Sequence, residues 1–323
     1  MGHPDVSVVI VSYNTKDLIQ RCLRTLLASR TMDVPFDVTV VDNASADGSA
    51  DAIARAFPEV RLIRLAENVG WGRAVNRGAV ASTGAYLQLL NPDAAPVGHP
   101  VAELARFARR HPEHRIYTAR TLHADGTDDM YCCWGLPSLR GYAAYATGLS
   151  AAFPGRAWAN PEGLPGYDRR SVREVPAVSG CCMLVDRELF NELGGFDPRY
   201  FLYSDDIDLC TRAAALGARP VVVPEAAVEH VGGASSSSEG QRIKILRGKA
   251  TYVRGHWSRP RARLALGLLK TGVGLRAAGR AVLRRGGVDW PAIWRERHVW
   301  AAGWPEVDEP RPPRTAVLDA TSA

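Results

Sequence analysis

The sequence predicts an α/β fold in which a mixed, mainly parallel sheet is flanked by helices and followed by a basic helical segment. Three observations carry this expectation. Short runs rich in β-branched residues alternate with helix-period segments over the first two thirds of the 323 residues. Three apolar stretches end on carboxylates: VTVVDNAS at Asp42, YLQLLNPDA at Asp93, and FLYSDDIDLC at Asp205 and Asp206. Charge is also divided, because residues 241–300 hold 15 Lys/Arg against 2 Asp/Glu, a local +13 that leaves −7 elsewhere in a chain of formal charge +6. With 46% hydrophobic and 23% charged residues, the composition is that of an ordinary globular, enzyme-sized protein.

The elements follow in order. Residues 6–12 form a first strand, after which Asn14 or Thr15 can cap a helix whose buried face is marked by Leu18, Ile19, Cys22, Leu23, Leu26 and Leu27. Residues 37–42 give a second strand, Ser45 or Asp47 opens a helix running through Ala56, residues 60–65 give a third strand, and a helix spans 71–82. AYLQLLN reads as a central strand, since it alternates poorly and lies between Gly84 and Pro92. This β-α-β-α-β order implies a parallel sheet. Ligands of open α/β sheets sit beyond the carboxyl ends of the strands, so Asp42 and Asp93 should share one cleft.

Residues 123–172 break the rhythm with Gly, Pro, Trp and Tyr, and read as a long, variable substrate loop. VSGCCMLVD restores order as a strand ending at Asp186, which can cap the short helix RELFNELGG. The acidic YSDDIDLC opens a helix that runs through Ala215 and ends near Gly217. RPVVVPE is another strand, and AAVEHVGG brings His230 onto a loop. A catalytic domain over residues 1–235 is the expectation.

Beyond it, GGASSSSEG has the composition of a flexible linker. Within the basic segment 236–304, residues 241–286 mix Arg and Lys with Leu, Ile, Val, Trp and Tyr. The best apolar run, LALGLL between Arg263 and Lys270, is too short to cross a bilayer. Such a segment suits an amphipathic helix on an anionic membrane surface, or else a basic helix pair docked on the catalytic body. No nucleic-acid partner is expected. Residues 305–323, with four Pro and little apolar content, should be disordered. The six cysteines show no C-x-x-C spacing, so neither a zinc site nor a disulfide framework is expected, and Cys22, Cys182 and Cys210 read as small buried residues. With an acidic, Lys/Arg-free start and no visible secretory signal, a cytoplasmic protein is expected.

The carboxylates carry the chemistry. An acid beside a nucleotide diphosphate repels it unless a divalent cation intervenes, so Asp93 suggests oxygen-ligated Mg²⁺ or Mn²⁺; alone it is also a plausible turn residue. Asp42, followed by Asn43, can bond a pyrimidine ring N–H or a ribose hydroxyl, or can simply form a turn. Asp205 and Asp206 are adjacent at a helix start. Mutual repulsion and burial raise a pKa toward that of a useful base, while the helix dipole, the ordinary reason for Asp208, acts the other way. His230 could complete a metal shell or be structural.

Together VSVVIVSYN, VVDNASADGS, NVGWGRAVNRG, LLNPDA, GCCMLVDRELFNELGGFDPRYFLYSDDIDLCTRAAALG and VEHVGG resemble the family 2 glycosyltransferases of the GT-A fold. The bacterial rhamnosyltransferases of cell-wall and O-antigen synthesis are the most similar branch. The resemblance covers about residues 5–235. It implies that Ser12, Tyr13 and Asn14 flank the nucleotide, that Asp42 contacts its base, and that Asn76 and Arg77 lie near the diphosphate. The family's Asp-x-Asp metal motif is Asn91-Pro92-Asp93 here, so Asn91 departs from it and Asp93 alone matches as a carboxylate ligand, with His230 as metal-binding histidine. Asp206 would be the base and Asp205 its acceptor-positioning neighbour. The implied reaction inverts the anomeric carbon. The implied donor is a nucleotide-diphospho-sugar, dTDP-rhamnose first, with a UDP-hexose or GDP sugar as alternatives. The implied acceptor is a cell-envelope glycan or polyprenyl-diphosphate-linked glycan at the inner membrane face. A nucleotide-dependent oxidoreductase would show G-x-G-x-x-G after the first strand, and a sugar nucleotidyltransferase a Gly-rich basic loop where this chain has SYNTKD. A non-catalytic scaffold of the same fold is the remaining alternative.

Overall fold

The first seven-residue strand, β1 (Val6–Ser12), is buried on both faces, as its run of Val and Ile requires. The computed structural model describes residues 4–231, 238–283 and 288–309. After β1 come α1 (Lys16–Ala28), β2 (Phe36–Asp42), α2 (Ser49–Ala56), β3 (Arg61–Arg64), α3 (Trp71–Val80), β4 (Tyr86–Leu90), β5 (Ala94–Val97), α4 (Pro100–Arg110) and β6 (Ile116–Leu122). Shorter pieces follow: β7 (Asp128–Asp129), β8 (Cys133–Trp134), α5 (Leu139–Ala146), α6 (Leu149–Ala152), β9 (Arg173–Glu174) and β10 (Ala177–Val178). The body closes with β11 (Cys182–Asp186), α7 (Arg187–Glu192), α8 (Asp205–Ala215) and β12 (Val221–His230). Four helices end the described chain: α9 (Ser238–His256), α10 (Arg259–Leu283), α11 (Trp290–Arg295) and α12 (Arg297–Ala302).

The main sheet runs β3-β2-β1-β4-β11-β6-β12-β5. Its first four strands are parallel, with Ser12 level with Asp42 and Ile10 level with Leu90, so their carboxyl ends share one edge. β11 then enters antiparallel to both β4 and β6, which makes the sheet mixed. Alternate residues of β1 feed two cores. Val8 and Ile10 pack with Ile19, Leu23 and Leu26 of α1 and Leu104 of α4, while Val9 and Val11 pack with Val75 of α3 and Leu209 of α8. All six cysteines are buried and free.

Three expectations change. α2 begins at Ser49, behind a left-handed Gly48, and neither Ser45 nor Asp47 is its N-cap. Asp47 instead accepts from the Ser49 N–H through Oδ1 and, through Oδ2, from the Lys16 N–H at the start of α1, so one carboxylate serves two helix starts. Asp186 does cap α7, accepting from the Leu189 N–H at 2.8 Å. His230 is not on a loop: it is the last residue of β12, paired with Ala94 of β5. Residues 123–172 are not one irregular loop, because β7 returns on β6, Trp134 pairs with Ala177, and α5 and α6 intervene. These pieces are too short for a periodicity signal, and their partners are distant in sequence.

The C-terminal helices are docked on the body. Tyr142 of α5 and Tyr200 join Leu246, Val253, Ala265, Leu269, Val273, Ile293 and Trp300 in a third core. Residues 232–237, most of the expected linker, and 310–323, most of the expected disordered tail, lie outside the described residues. Just before that tail the Trp304 ring packs on Phe201 at 5.3 Å, and within its start Glu309 Oε1 lies 3.3 Å from Arg77 and 3.7 Å from Arg73. Trp300 is fully buried and its Nε1 donates to Ile293 O at 2.9 Å. Trp300→Ala should therefore cost about 3–5 kcal/mol, read from the midpoint of urea unfolding.

Candidate active site

The loops after β1 and β2 are zipped together. The Asn14 N–H donates to Ser45 Oγ and its Oδ1 accepts from the Ala46 N–H at 2.8 Å, while Asn14 itself sits at φ +52°. Ser12 is buried and shares a hydroxyl bond with Thr15 at 3.0 Å. Tyr13 and Asn14 are both exposed, Tyr13 at 40%. Asp42 is buried. Its Oδ2 accepts from the Ser45 N–H at 3.1 Å, and its Oδ1 has no partner. An unpaired buried carboxylate oxygen costs free energy, and a ligand N–H or hydroxyl would relieve it. Asn43 makes more than a turn, since its Oδ1 accepts from the Val69 N–H and its Nδ2 donates to Asn68 Oδ1 and Gly70 O.

That tie delivers the start of α3 to the start of α8. Gly70 has φ +90°, and a Cβ there would meet Phe201 O at 2.5 Å, so only glycine permits the approach. Trp71 packs on Gly180, where a Cβ would lie 2.5 Å from the indole, and Gly72 lies beside Asp205 Oδ2. Gly180 N in turn donates to Asp206 Oδ2 at 3.4 Å, and the Asn91 N–H donates to Cys181 O at 2.9 Å. These contacts tie the starts of α3 and α8 to one another and to the ends of β2 and β4.

Both carboxyls at the α8 start are held above the ordinary range. Burial is the main cause for Asp205, with the Asp206 charge second, and raises it to about 8. Burial also raises Asp206, to about 6, against the Ile207 and Gly180 N–H groups that stabilise its anion. The helix dipole works against both shifts and loses. Asp206 Oδ1 accepts from the Ile207 N–H at 2.8 Å, whereas Asp205 Oδ2 is buried without a partner. Of the pair, Asp206 therefore ionises first.

Asp93 and His230 meet at the neighbouring strand ends, with His230 Nε2 3.7 Å from Asp93 Oδ2. On the other side of the ring, Nδ1 lies 3.3 Å from Oδ2 of Asp129, a buried residue of β7 that periodicity did not single out. Burial pushes the imidazole pKa down, but the Asp129 bond and the Asp93 and Asp129 charges outweigh it, so the pKa is raised. The DGTDD string after β6 is the one signal for Asp129, a hairpin turn followed by two acids. Among the described residues, no three His, Cys, Asp or Glu side chains close on a common point.

Three residues tied to the nucleotide by resemblance have other surroundings. Asn76 spends its amide on Phe196, with Oδ1 accepting from the backbone N–H and Nδ2 donating to the carbonyl, both at 2.9 Å. Arg77 is exposed and pairs with Glu309. Asn91 is half-buried at the end of β4, and its backbone, not its side chain, makes the bonds there. Arg73, a turn nearer the start of α3, is more enclosed and keeps a buried Nε without a partner.

A family model described as glycosyltransferase like family 2 matches residues 3–249. The chain is 31% identical over 261 residues to the N-acetylglucosaminyl-diphospho-decaprenol L-rhamnosyltransferase of Mycobacterium tuberculosis, covering 76% of this chain and 82% of that one. It is 27% identical over 248 residues to the O-antigen biosynthesis protein RfbC of Myxococcus xanthus, which covers 74% of this chain and 18% of that much longer protein. In structure it is similar to the mannosyltransferase PcManGT from Pyrobaculum calidifontis, solved with GDP-Man and Mn²⁺, at TM-score 0.53 and 19% identity over 94% and 84% of the two chains. Staphylococcus aureus TarS, solved with UDP, aligns at TM-score 0.52 and 14% identity over 91% and 78%. These two structural likenesses show the GT-A fold.

The raised carboxyl pKa values set the pH dependence of stability. A folded state that keeps protons the unfolded chain has released is favoured on the acid side. The contribution is complete below the ordinary Asp value of 3.8 and is lost as pH rises through about 6 and about 8. Asp205→Asn removes the later step. The variant should melt above the parent at both pH 5 and pH 8, with the gap several degrees larger at pH 8, by differential scanning calorimetry.

Proposed function

We propose that this chain, which belongs to the family 2 glycosyltransferases, transfers rhamnose from dTDP-rhamnose to a polyprenyl-diphosphate-linked glycan, inverting the anomeric carbon, with Asp206 as base. The chain is a glycosyltransferase; the sugar, acceptor and residue roles are the proposal. The observation that carries the mechanism is the difference between two adjacent carboxyls. Asp206 holds two backbone N–H donors that stabilise its anion, while burial keeps its pKa above the ordinary carboxyl range, so it is the member of the pair suited to take a hydroxyl proton. Asp205, pushed higher by the same burial and by its neighbour, holds its proton and presents a hydrogen bond to the acceptor. The rhamnosyl and lipid-linked choices draw support from the activity named for the mycobacterial relative.

Asp42 takes the base or ribose with its unpaired Oδ1, and Tyr13 flanks the nucleotide. The residues present fit a divalent cation. A carboxylate and an imidazole nitrogen 3.7 Å apart are too far for a hydrogen bond and near enough to serve one ion, and phosphate oxygens and water would supply its other ligands. When bound, a Mn²⁺ or Mg²⁺ ion offsets the charge that develops on the departing diphosphate. Asp129 holds Nδ1 of His230 and so aims Nε2 at that position. Asp206 draws off the acceptor proton as the acceptor oxygen attacks the anomeric carbon, and the bond to the nucleoside diphosphate breaks on the opposite face. The proton ends on Asp206 and the electron pair on the leaving diphosphate. No covalent sugar-enzyme intermediate is formed.

Among the described residues no helix is long and apolar enough to cross a membrane. The acceptor is reached at the inner membrane face, which meets the enzyme through the basic residues of 241–286.

The test is a thermal-shift panel of nucleoside diphosphates and their sugars with and without Mn²⁺. A shift with dTDP and dTDP-rhamnose that Mn²⁺ enlarges supports the donor; no shift with any nucleotide overturns it and favours a non-catalytic scaffold. Asp206→Asn should lower transfer at least about 10²-fold, the lower end of what a general base contributes, while donor Kd changes less than about threefold. Asp93→Ala and His230→Ala should each abolish the Mn²⁺-dependent part of donor binding. The log of kcat/KM should fall with unit slope as pH drops below about 6, where Asp206 of the free enzyme takes up its proton.

A further inference from the structure

The elbow between α9 and α10 holds a cavity of about 290 Å³ lined by Arg254, Trp257, Arg259, Ala262, Arg263 and Leu266. Half of that lining is guanidinium. None of the three arginines forms an ion pair among the described residues: Arg254 donates to the backbone carbonyl of Ala301 at 3.0 Å, and Arg259 and Arg263 are exposed. The other half is apolar, and the guanidinium of Arg261 lies over the Trp257 ring at 4.4 Å. Three arginines around one open hollow, without carboxylates among its lining residues, suit a compact anion with several oxygens, and the planar fork of Arg matches phosphate.

The rest of α10 says what the phosphate is attached to. Ala262, Ala265, Leu266, Leu269 and Val273 face the third core. The opposite stripe starts at Arg263 and continues through Leu264, Gly267, Thr271, Leu275 and Ala278, with Leu264 and Leu275 55% and 58% exposed. Beyond Arg263 this line carries no charge. A nucleic acid would need cations along the whole line; a lipid needs them at one end and apolar contact beyond.

We propose that the elbow binds the phosphate of an anionic membrane lipid, with Arg254, Arg259 and Arg263 around the headgroup and the Leu264–Leu275 stripe against the acyl region. The proposal rests on the membrane reading above and gives it a specific address; the sugar-transfer chemistry plays no part in it.

The experiment is flotation of the full chain with phosphatidylcholine vesicles, plain or doped with phosphatidylglycerol. The protein should bind the doped vesicles and not the plain ones. Arg259→Ala with Arg263→Ala should weaken binding about thirtyfold, what two basic side chains contribute at an anionic surface, whereas Arg55→Ala with Arg110→Ala, an equal charge loss on the catalytic body, should change it less than about twofold. Leu264→Ser with Leu275→Ser should weaken it about tenfold or more. Equal weakening by both arginine pairs, or no binding by the parent, overturns the proposal. If calorimetry shows inorganic phosphate binding that the elbow arginine pair loses while vesicles do not bind, the ligand is free phosphate and the lipid assignment falls. No sugar donor enters these measurements, so they stand or fall apart from the transferase reading.

Discussion

Asp208 lies buried in the first turn of α8 between Arg212 and His256. Its Oδ2 accepts from Arg212 Nε at 2.8 Å, its Oδ1 lies 2.7 Å from His256 Nε2, and the Tyr200 hydroxyl is 3.4 Å away. Burial raises its pKa, but the His256 bond and the Arg212 charge overcome this and leave the carboxyl below its ordinary value. Arg212 also donates to Leu193 O and Gly195 O, so the ion pair pins α8 to the loop that Asn76 holds from the other side. The two carboxyls before Asp208 have no such cation. One turn of helix therefore carries a structural acid held below the ordinary carboxyl range and two acids held above it.

The sheet makes that turn useful. β11 reverses direction between β4 and β6, and the reversal puts Cys181 beside Asn91 and Gly180 beside Asp206. A parallel strand in the same place would present its other end to the cleft. On the far side, β12 carries His230 to the level of Ala94, which sets the imidazole against Asp93. Asn43 and Gly70 complete the frame, the first by bonding the loop before α3 and the second by letting Phe201 approach without a Cβ in the way.

The basic helices are part of the same construction. They close a third core with α5 and Tyr200, and His256, at the end of α9, is both the partner of Asp208 and the neighbour of Trp257 in the elbow cavity. A surface proposed to meet lipid is thus two residues of chain and one hydrogen bond away from the helix that begins with Asp205 and Asp206.

Local pattern determined much of this protein. The β-branched runs and strand-end acids in the sequence predict the parallel half of the sheet and the shared edge for Asp42 and Asp93, and Asp186 is legible as a cap, because these depend on period and near neighbours. The motif strings reach further and identify the family. Tertiary structure alone decided which side chains were already taken and which charges met. Asn76 and Phe196 are 120 residues apart, and Asp129 and His230 are 101 apart, so no local signal could pair them. Whether the basic segment would lie free or pack was equally undecided, since its apolar residues suit a membrane or a protein core alike. The third core settled that by taking one face of α10, and the arginines of the elbow and the leucines of the outer stripe are what it left outside.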